Sequence, residues 1–424
     1  MGITGRTYKD VIGLTGPSLP FVSFLGRLPT ATIQFGSVLL VARTSGSLAA
    51  AGLTGGALAI GQVSCGPLVG RLADRRGQRT VVLACSLANA VAIAALVAGA
   101  LAGLPTPLVA LLAAAAGATV PLIGPLARAR LVALARRSGA PESTVGAALS
   151  FESTLDEISF VLGPALVGLA AVLAHPAYAL AAAALLVAVC GTGFALHPTA
   201  RATRPDHPAR TAARTRGRRP RIPRSVHPLR AALALQGAMF GACQAGITAL
   251  TERLGQADQA GLVYAAMGVM SAVAGLSMAA LPARIPLTAR WRAATGAALV
   301  LSLPLLWTQS LGCLYVVVTV LGVAYAPHLI TVFGLTERAV PPARLAEAMA
   351  FATSAIVGGQ ALAVAVTGRL AESYGPVAAF ATAGLAAALA CAIALTARPA
   401  SYSGPATAWA LHARVPDEQP VTPT

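Results

Sequence analysis

Three carboxylates fall within six residues in the segment Phe151-Glu152-Ser153-Thr154-Leu155-Asp156-Glu157, which lies inside a long apolar run. A charge within a helix that crosses a bilayer costs roughly 2.5 to 3.5 kcal/mol on insertion scales and persists only when paired or wetted. Glu152 and Asp156 are four apart and share a helix face, while Glu157 points about 100° away, so the three cannot serve one small cluster equally. Carboxylates crowded at low dielectric resist ionising together, and a member of such a set can load and release a proton near physiological pH. Arg27, inside another apolar run, acts the other way by favouring the ionised form of whichever acid it touches. Both Arg27 and Asp156 lie about ten residues into their spans, roughly 15 Å deep, so a buried arginine-to-carboxylate pair is expected. The chemistry open to this set is proton carriage, a static ion pair, or binding of a cationic solute.

Other polar residues in apolar runs are candidates to line a cavity or to bond a neighbouring helix. Gln34 lies two turns after Arg27, and Gln244, His328 and Gln360 stand in later runs. The six cysteines are spread over separate apolar runs with no C-x-x-C pair, which suits packing rather than metal or redox chemistry.

The elements that must hold these residues follow from composition. The chain is 56% hydrophobic and 11% charged with a mean hydropathy of +0.72, more apolar surface than a soluble core could hide. Apolar stretches recur near residues 18–41, 48–69, 80–101, 106–127, 147–173 and 177–197, then 231–251, 260–282, 292–309, 312–335, 346–368 and 377–397. Each is long enough for a helix to cross about 30 Å of hydrocarbon. Backbone groups in lipid must be satisfied internally, and period-two alternation is absent, so an all-α membrane protein of twelve spans is expected rather than a barrel. Trp291 and Trp307 bracket the ninth span and are expected to be interfacial anchors.

The net charge of +17 does not indicate nucleic acid, because the basic residues sit between spans rather than on one amphipathic face. Of the 31 Lys and Arg residues, Arg43, Arg253 and Arg369 fall outside, Arg27 lies within a span, and the rest fall on the cytoplasmic side if both termini are inside. That bias fixes the orientation and an even number of crossings, and the expected location is a bacterial inner membrane, multi-pass with cytoplasmic termini. Arg6 and Lys9 precede an apolar segment too long for a signal-peptide core, so it is expected to stay as the first helix.

Residues 199–230 carry ten arginines and many prolines and are expected to be a cytoplasmic linker between a bundle at 1–198 and another at 231–397. Attraction to anionic lipid heads suits that segment. The Pro- and Thr-rich tail, 398–424, is expected to be disordered and cytoplasmic. The fifth and eleventh spans match at an offset of 200 residues, with Phe151 and Phe351, Leu162 and Leu362, Ala165 and Ala365, Gly168 and Gly368. The positions answering to the three acids are Ala352, Ile356 and Val357, so the fold does not demand charge there. Two such halves facing a midplane cavity suit alternating access.

Between the second and third spans stands Gly70-Arg71-Leu72-Ala73-Asp74-Arg75-Arg76-Gly77-Gln78-Arg79. Gly70 and Gly77 permit close approach and a tight reversal. Asp74 lies among arginines in sequence and is placed to cap the N-terminus of a neighbouring helix in one conformation and release it in another. The loop resembles the signature of the major facilitator superfamily, departing at Gln78, where a basic residue is usual. The resemblance implies twelve helices in two six-helix halves, and a cytoplasmic gating loop made by Gly70, Asp74, Arg75, Gly77 and Arg79. The corresponding loop of the second half, near Arg284 to Arg292, keeps the positive charge without the Gly and Asp pattern. In the fifth span, Gly163-Pro164-Ala165-Leu166-Val167-Gly168 is similar to part of a motif of drug and proton antiporters in that superfamily. Pro164 would kink the helix while Gly163 and Gly168 allow close packing.

No nucleotide-binding loop, H-E-x-x-H or nucleophile elbow is present. The expectation is therefore a non-enzymatic secondary transporter without cofactor, driven by the proton gradient. Its expected partners are a small-molecule substrate, protons and membrane lipids, with no nucleic acid. Efflux of moderately hydrophobic molecules is the leading reading. A proton-linked importer of a sugar or other metabolite and a non-transporting membrane sensor or lipid-handling protein are the alternatives.

Overall fold

The computed structural model describes residue 9 and residues 11–203, 222–256, 259–282 and 284–398. Arg6, most of the arginine-rich segment and nearly all of the tail lie outside the described residues. The described chain is helical, and eleven helices are long and apolar enough to cross a membrane. The first six crossings are α1 (Ser18–Ser45), α2 (Leu48–Arg76), α3 (Gln78–Leu101), α4 in two pieces (Thr106–Ala118 and Ile123–Arg137), α5 (Glu142–Leu173) and α6 (Pro176–Leu186, running on through a π turn to Leu196). The second six are α7 (Val226–Arg253), α8 (Ala260–Ser277), α9 (Leu287–Ser302, extended by the 3-10 turn Leu303–Trp307), α10 (Leu311–Ala339), α11 (Leu345–Tyr374) and α12 (Pro376–Thr396). The ninth is the short one, a crossing completed by its 3-10 turn. This is the all-helical, two-half membrane fold expected from the hydropathy pattern.

Local chemistry sets the ends. Ser47 and Ser310 accept from the Ala50 and Cys313 amides and so start α2 and α10. Gly46 takes the left-handed conformation that stops α1. Gly77, at φ 88°, is at once the C-cap of α2 and the N-cap of α3, so the reversal needs a residue free of a Cβ there. The prolines within α1, α2, α5 and α10 leave those helices continuous.

The fourth crossing departs from expectation. Its apolar run does not end at residue 127: the helix breaks at Thr119–Leu122, with Leu122 at φ 50°, and restarts to run to Arg137. Arg128 and Arg130 therefore lie inside the bundle at 1% and 0% exposure, not in a loop. Among the described residues, Arg27 is thus one of three buried arginines in the first half. Trp291 is a second correction. It is fully buried where α9 packs against α10 and α12, whereas Trp307 is 72% exposed and free to sit at an interface.

We call the end of the bundle that carries the α2–α3 turn and the 199–230 segment the linker end. Among the described residues the two halves meet chiefly through α2 with α11, α5 with α8, α5 with α10, and the second piece of α4 with α11. Along α2 and α11 the close positions are Gly70 with Ala346, Gly66 with Ser354 and Val63 with Gly358. Along α5 and α8 they are Ser150 and Thr154 with Gly275, and Val161 with Gly268. Both seams run from the linker end to about mid-bundle.

Candidate functional site

The site is built on α5, α1 and the second piece of α4. From α1, Arg27 donates Nη1 to Asp156 Oδ1 at 2.8 Å and to the Glu152 carbonyl at 3.0 Å, and its Nη2 pairs with the Glu152 carboxylate. Ser23, one turn earlier, receives Nη2 on its hydroxyl at 2.6 Å and Nε on its carbonyl at 3.2 Å. From α4, Arg128 donates Nη2 to Asp156 Oδ2 at 2.5 Å, with Ser153 Oγ at 3.4 Å. Asp156 is thus clamped between two guanidinium groups, and Glu152 is tied to one. Two arginines and two acids make an electrically balanced set.

The break in α4 is what lets Asp156 into this position. A Cβ added to Gly124, in the first turn after the break, would stand 2.6 Å from Asp156 Oδ1. The carboxylate therefore rests against the positive end of that helix as well as between two arginines. Across the seam, the Arg128 guanidinium lies 4.0 Å over the Phe333 ring of α10. The charged set of one half thereby touches the other half through an aromatic face.

Glu157 is apart from this set, as its angle on α5 requires. It looks toward α8, where Ser271 is the polar side chain within its electrostatic reach. Its Oε2 is closed off from solvent and has no partner among the described residues. The other candidates do not join the cluster. Gln34 donates to Gln62 of α2 at 2.9 Å, an interhelical bond. Gln244 and Gln360 are half-buried on α7 and α11. His328 is 3% exposed, and its Nε2 has no partner among the described residues.

At the linker end, Asp74 caps α11. Oδ1 accepts from the Ala346 amide at 3.1 Å and Oδ2 from the Glu347 amide at 2.8 Å, both in the first turn of that helix. Gly70 allows the approach, since a Cβ there would stand 2.6 Å from the Ala346 carbonyl oxygen. Arg71, Arg75, Arg76 and Arg79 are exposed. Gln78, the departure from the motif, is buried and accepts from Arg130 Nε at 2.9 Å while donating to the Leu126 carbonyl. Arg130 also lies 3.8 Å over the Phe194 ring. The motif's missing basic group is thus answered by an arginine from α4. A second set crosses the halves nearby: Arg136 pairs with Glu142 at 2.8 Å and Glu337 at 3.2 Å, and Arg338 with Glu142 at 2.9 Å.

In the antiporter-like stretch of α5, Gly163 is a close-packing residue, because a Cβ there would stand 2.7 Å from the Ala31 Cβ of α1. Gly168 is not, since nothing lies within 4 Å of a Cβ at that position. The close-packing role expected of Gly168 is therefore withdrawn. Pro164 sits in an unbroken helix.

Arg128, Arg130, Gly124, Phe333 and Ser271 were not legible as functional residues. A signal did exist for the arginines: Leu126, Leu131, Val132 and Ala135 continue the apolar pattern past residue 127. No sequence spacing brings Phe333 or Ser271 to α4 and α5.

These features define a multi-pass helical membrane protein of two six-helix halves with a balanced ion cluster in its first half and a capped helix closing one end. The family model for the Major Facilitator Superfamily matches residues 19–344, and the chain belongs to that superfamily. Solved structures similar to it include the human organic anion transporter TETRAN, with a TM-score of 0.65 and 19% identity over 93% of this chain and 100% of that one. Another is the E. coli fucose:proton symporter, with a TM-score of 0.61 and 14% identity over 90% and 98%. A third is a bacterial homologue of the iron transporter ferroportin in an outward-facing state, with a TM-score of 0.67 and 14% identity over 89% and 98%. At these identities the likeness is one of fold. None of the curated proteins matches the chain.

Proposed function

We propose that the chain is a proton-coupled exporter of small, moderately hydrophobic molecules, working by alternating access between its two halves. The observation that carries the reading is the buried set Arg27, Glu152, Asp156 and Arg128. Burying three charges and most of a fourth, Asp156, is expensive even when they pair, and the matching α11 positions Ala352, Ile356 and Val357 pack as plain apolar residues. The charge is therefore kept for use rather than for folding. Membership of a transporter superfamily supports movement of a solute, and the absence of a recognisable nucleotide-hydrolysis motif leaves a gradient as the energy source.

The seams along α2–α11 and α5–α8, with Asp74 capping α11, suit a conformer closed at the linker end. With the arginine-rich segment in the cytoplasm, as the positive-inside bias favours, that conformer faces outward, the state in which the bacterial ferroportin homologue was solved. The test is transport by purified protein in proteoliposomes holding a pH-sensitive dye. A thermal-shift screen of organic cations, organic anions and neutral amphipathic molecules supplies the ligand. An exporter's ligand, added on the linker-end side, should dissipate a preset gradient that is acid on the opposite side. Uptake that requires the gradient to run in the ligand's own direction would refute export and leave an importer. Ligand binding with no counterflow at all would refute transport.

A further inference from the structure

We infer that Glu157, not Glu152 or Asp156, is the residue that carries the coupled proton, and that Ser271 across the α5–α8 seam is the group that reads its protonation state. The inference rests on the proposed transport function and names its coupling residue. Glu152 and Asp156 have their charge answered. Arg27 holds both and Arg128 holds Asp156 a second time, so protonating either acid would leave two buried guanidinium groups with one carboxylate between them. They act as fixed counter-charges. Glu157 has no cation bonded to it, and one carboxyl oxygen is shut away from both solvent and any donor among the described residues.

The groups around Glu157 fit a carboxyl that changes charge. The charges within electrostatic reach are Asp156 on its own helix and Arg128 from α4. From α8 the neighbour is Ser271, whose oxygen also accepts from the Ala326 amide of α10 at 3.1 Å. On α10 the ionisable group nearest in sequence to that amide is His328, buried and two residues on. From α1, Arg27 is engaged by Glu152 and Asp156. A hydroxyl can donate to a carboxylate or accept from a carboxylic acid, so Ser271 can serve Glu157 in either state. A neutral Glu157 keeps the dry seam closed. Glu157 is partly exposed, but its Oε2 is closed off; an ionised carboxylate requires water at that oxygen, and water reaches it if α5 and α8 part.

One proton taken up from the open side therefore favours the closed linker end, and its release to the other side accompanies opening. The sign follows from linkage: the closed seam binds the extra proton, so its population falls as pH rises, by up to tenfold per pH unit for one proton.

The experiment places spin labels at Ser143 and Ser277, both exposed at the linker ends of α5 and α8, in a background with the six native cysteines replaced. The distance distribution is recorded against pH, beside proton flux in proteoliposomes. The unmodified chain should shift from a short to a long distance as pH rises. Glu157→Gln should stay at the short distance at every pH and lose gradient-driven transport. Glu157→Asp should recover a pH-dependent shift, and Ser271→Ala should move its midpoint. If Glu157→Gln keeps the original pH profile, or moves solute uphill as well as the unmodified chain, Glu157 is not the carrier. If Glu157→Gln fails to fold, a Glu157→Asp or Ser271→Ala profile identical to the original overturns the proposal in its place. If the unmodified chain transports nothing while the seam still titrates through Glu157, the transport reading fails and the seam assignment stands.

Discussion

Replacing Asp74 by Asn isolates the linker-end closure with almost no change of shape. In the closed arrangement both carboxylate oxygens accept backbone amides from the first turn of α11, at 3.1 and 2.8 Å. Asn keeps one acceptor oxygen but presents an NH2 to the second amide, so one charge-assisted hydrogen bond, worth about 1.5 to 3 kcal/mol, is lost. The favourable meeting of an anion with a helix N-terminus, about 0.3 to 1 kcal/mol, goes with it. Asp74 is only half-buried, so water recovers part of this loss, and a net shift of about 1.5 kcal/mol is expected. That is roughly tenfold in the ratio of open to closed linker end. The reporter is Ser354→Cys in a cysteine-replaced background. Ser354 is 3% exposed and faces Gly66 within the α2–α11 seam, so the new thiol is shielded when the seam is closed. Its reaction rate with N-ethylmaleimide should rise about tenfold when Asp74→Asn is added. Because both amides are bonded only in the closed state, a rate unchanged within a factor of two would mean that the cap does not bias the equilibrium.

Two further outcomes probe the ion cluster. Gly124→Ala puts a methyl group 2.6 Å from Asp156 Oδ1 and should displace the carboxylate from its clamp, cutting counterflow at least tenfold. Gly146→Ala on α5, where nothing lies within 4 Å, should leave it unchanged; equal effects would show that the clamp geometry is irrelevant. Arg128→Met leaves Asp156 short of one buried partner and removes the stack on Phe333. It should destabilise the protein by about 3 kcal/mol, read as a lowered unfolding temperature in detergent, with partial recovery in the double variant Arg128→Met, Asp156→Asn. Additive losses would dissolve the pair.

The placement of Arg27 beside Glu152 and Asp156 was legible because it follows from two depths along two helices, and the expense of buried charge leaves few alternatives. The capping of a helix by Asp74 was legible for a similar reason: a carboxylate in the last turn of a helix, beside a tight reversal, has few things to do except accept backbone amides. Arg128 was not legible. A hydropathy window ends a span at its first charges, and the helix break that carries Arg128 inward depends on Leu122 adopting a left-handed conformation that composition does not announce. Trp291 failed by the same logic in reverse. Its position near a span end fits an anchor, but which side of α9 faces lipid is decided by α10 and α12. Gly168 matches a motif position without meeting a neighbour, since a motif records residue type and not what stands opposite.

The two halves share a fold but not a chemistry. The buried ionic set belongs to α1, α4 and α5, and the elements of the second half that meet it there offer neutral groups: the Phe333 face to Arg128, the Ser271 hydroxyl to Glu157, and at the linker end the amides of α11 to Asp74. Had the second half also placed charge against Arg27, Glu152, Asp156 and Arg128, closing the halves there would have required burying a second set of ions, and water would have been hard to exclude. Neutral partners avoid this while remaining sensitive to charge, since a ring face, a hydroxyl and a helix N-terminus each interact with an ion through a dipole or quadrupole. Their interactions fall off more steeply with distance than those of ion pairs, so they report charge only when the halves are in contact. A change of one proton at Glu157 is thus felt by the second half in the closed state and scarcely in the open one. That difference between the two states is what coupling requires, because a ligand shifts an equilibrium only by its differential affinity.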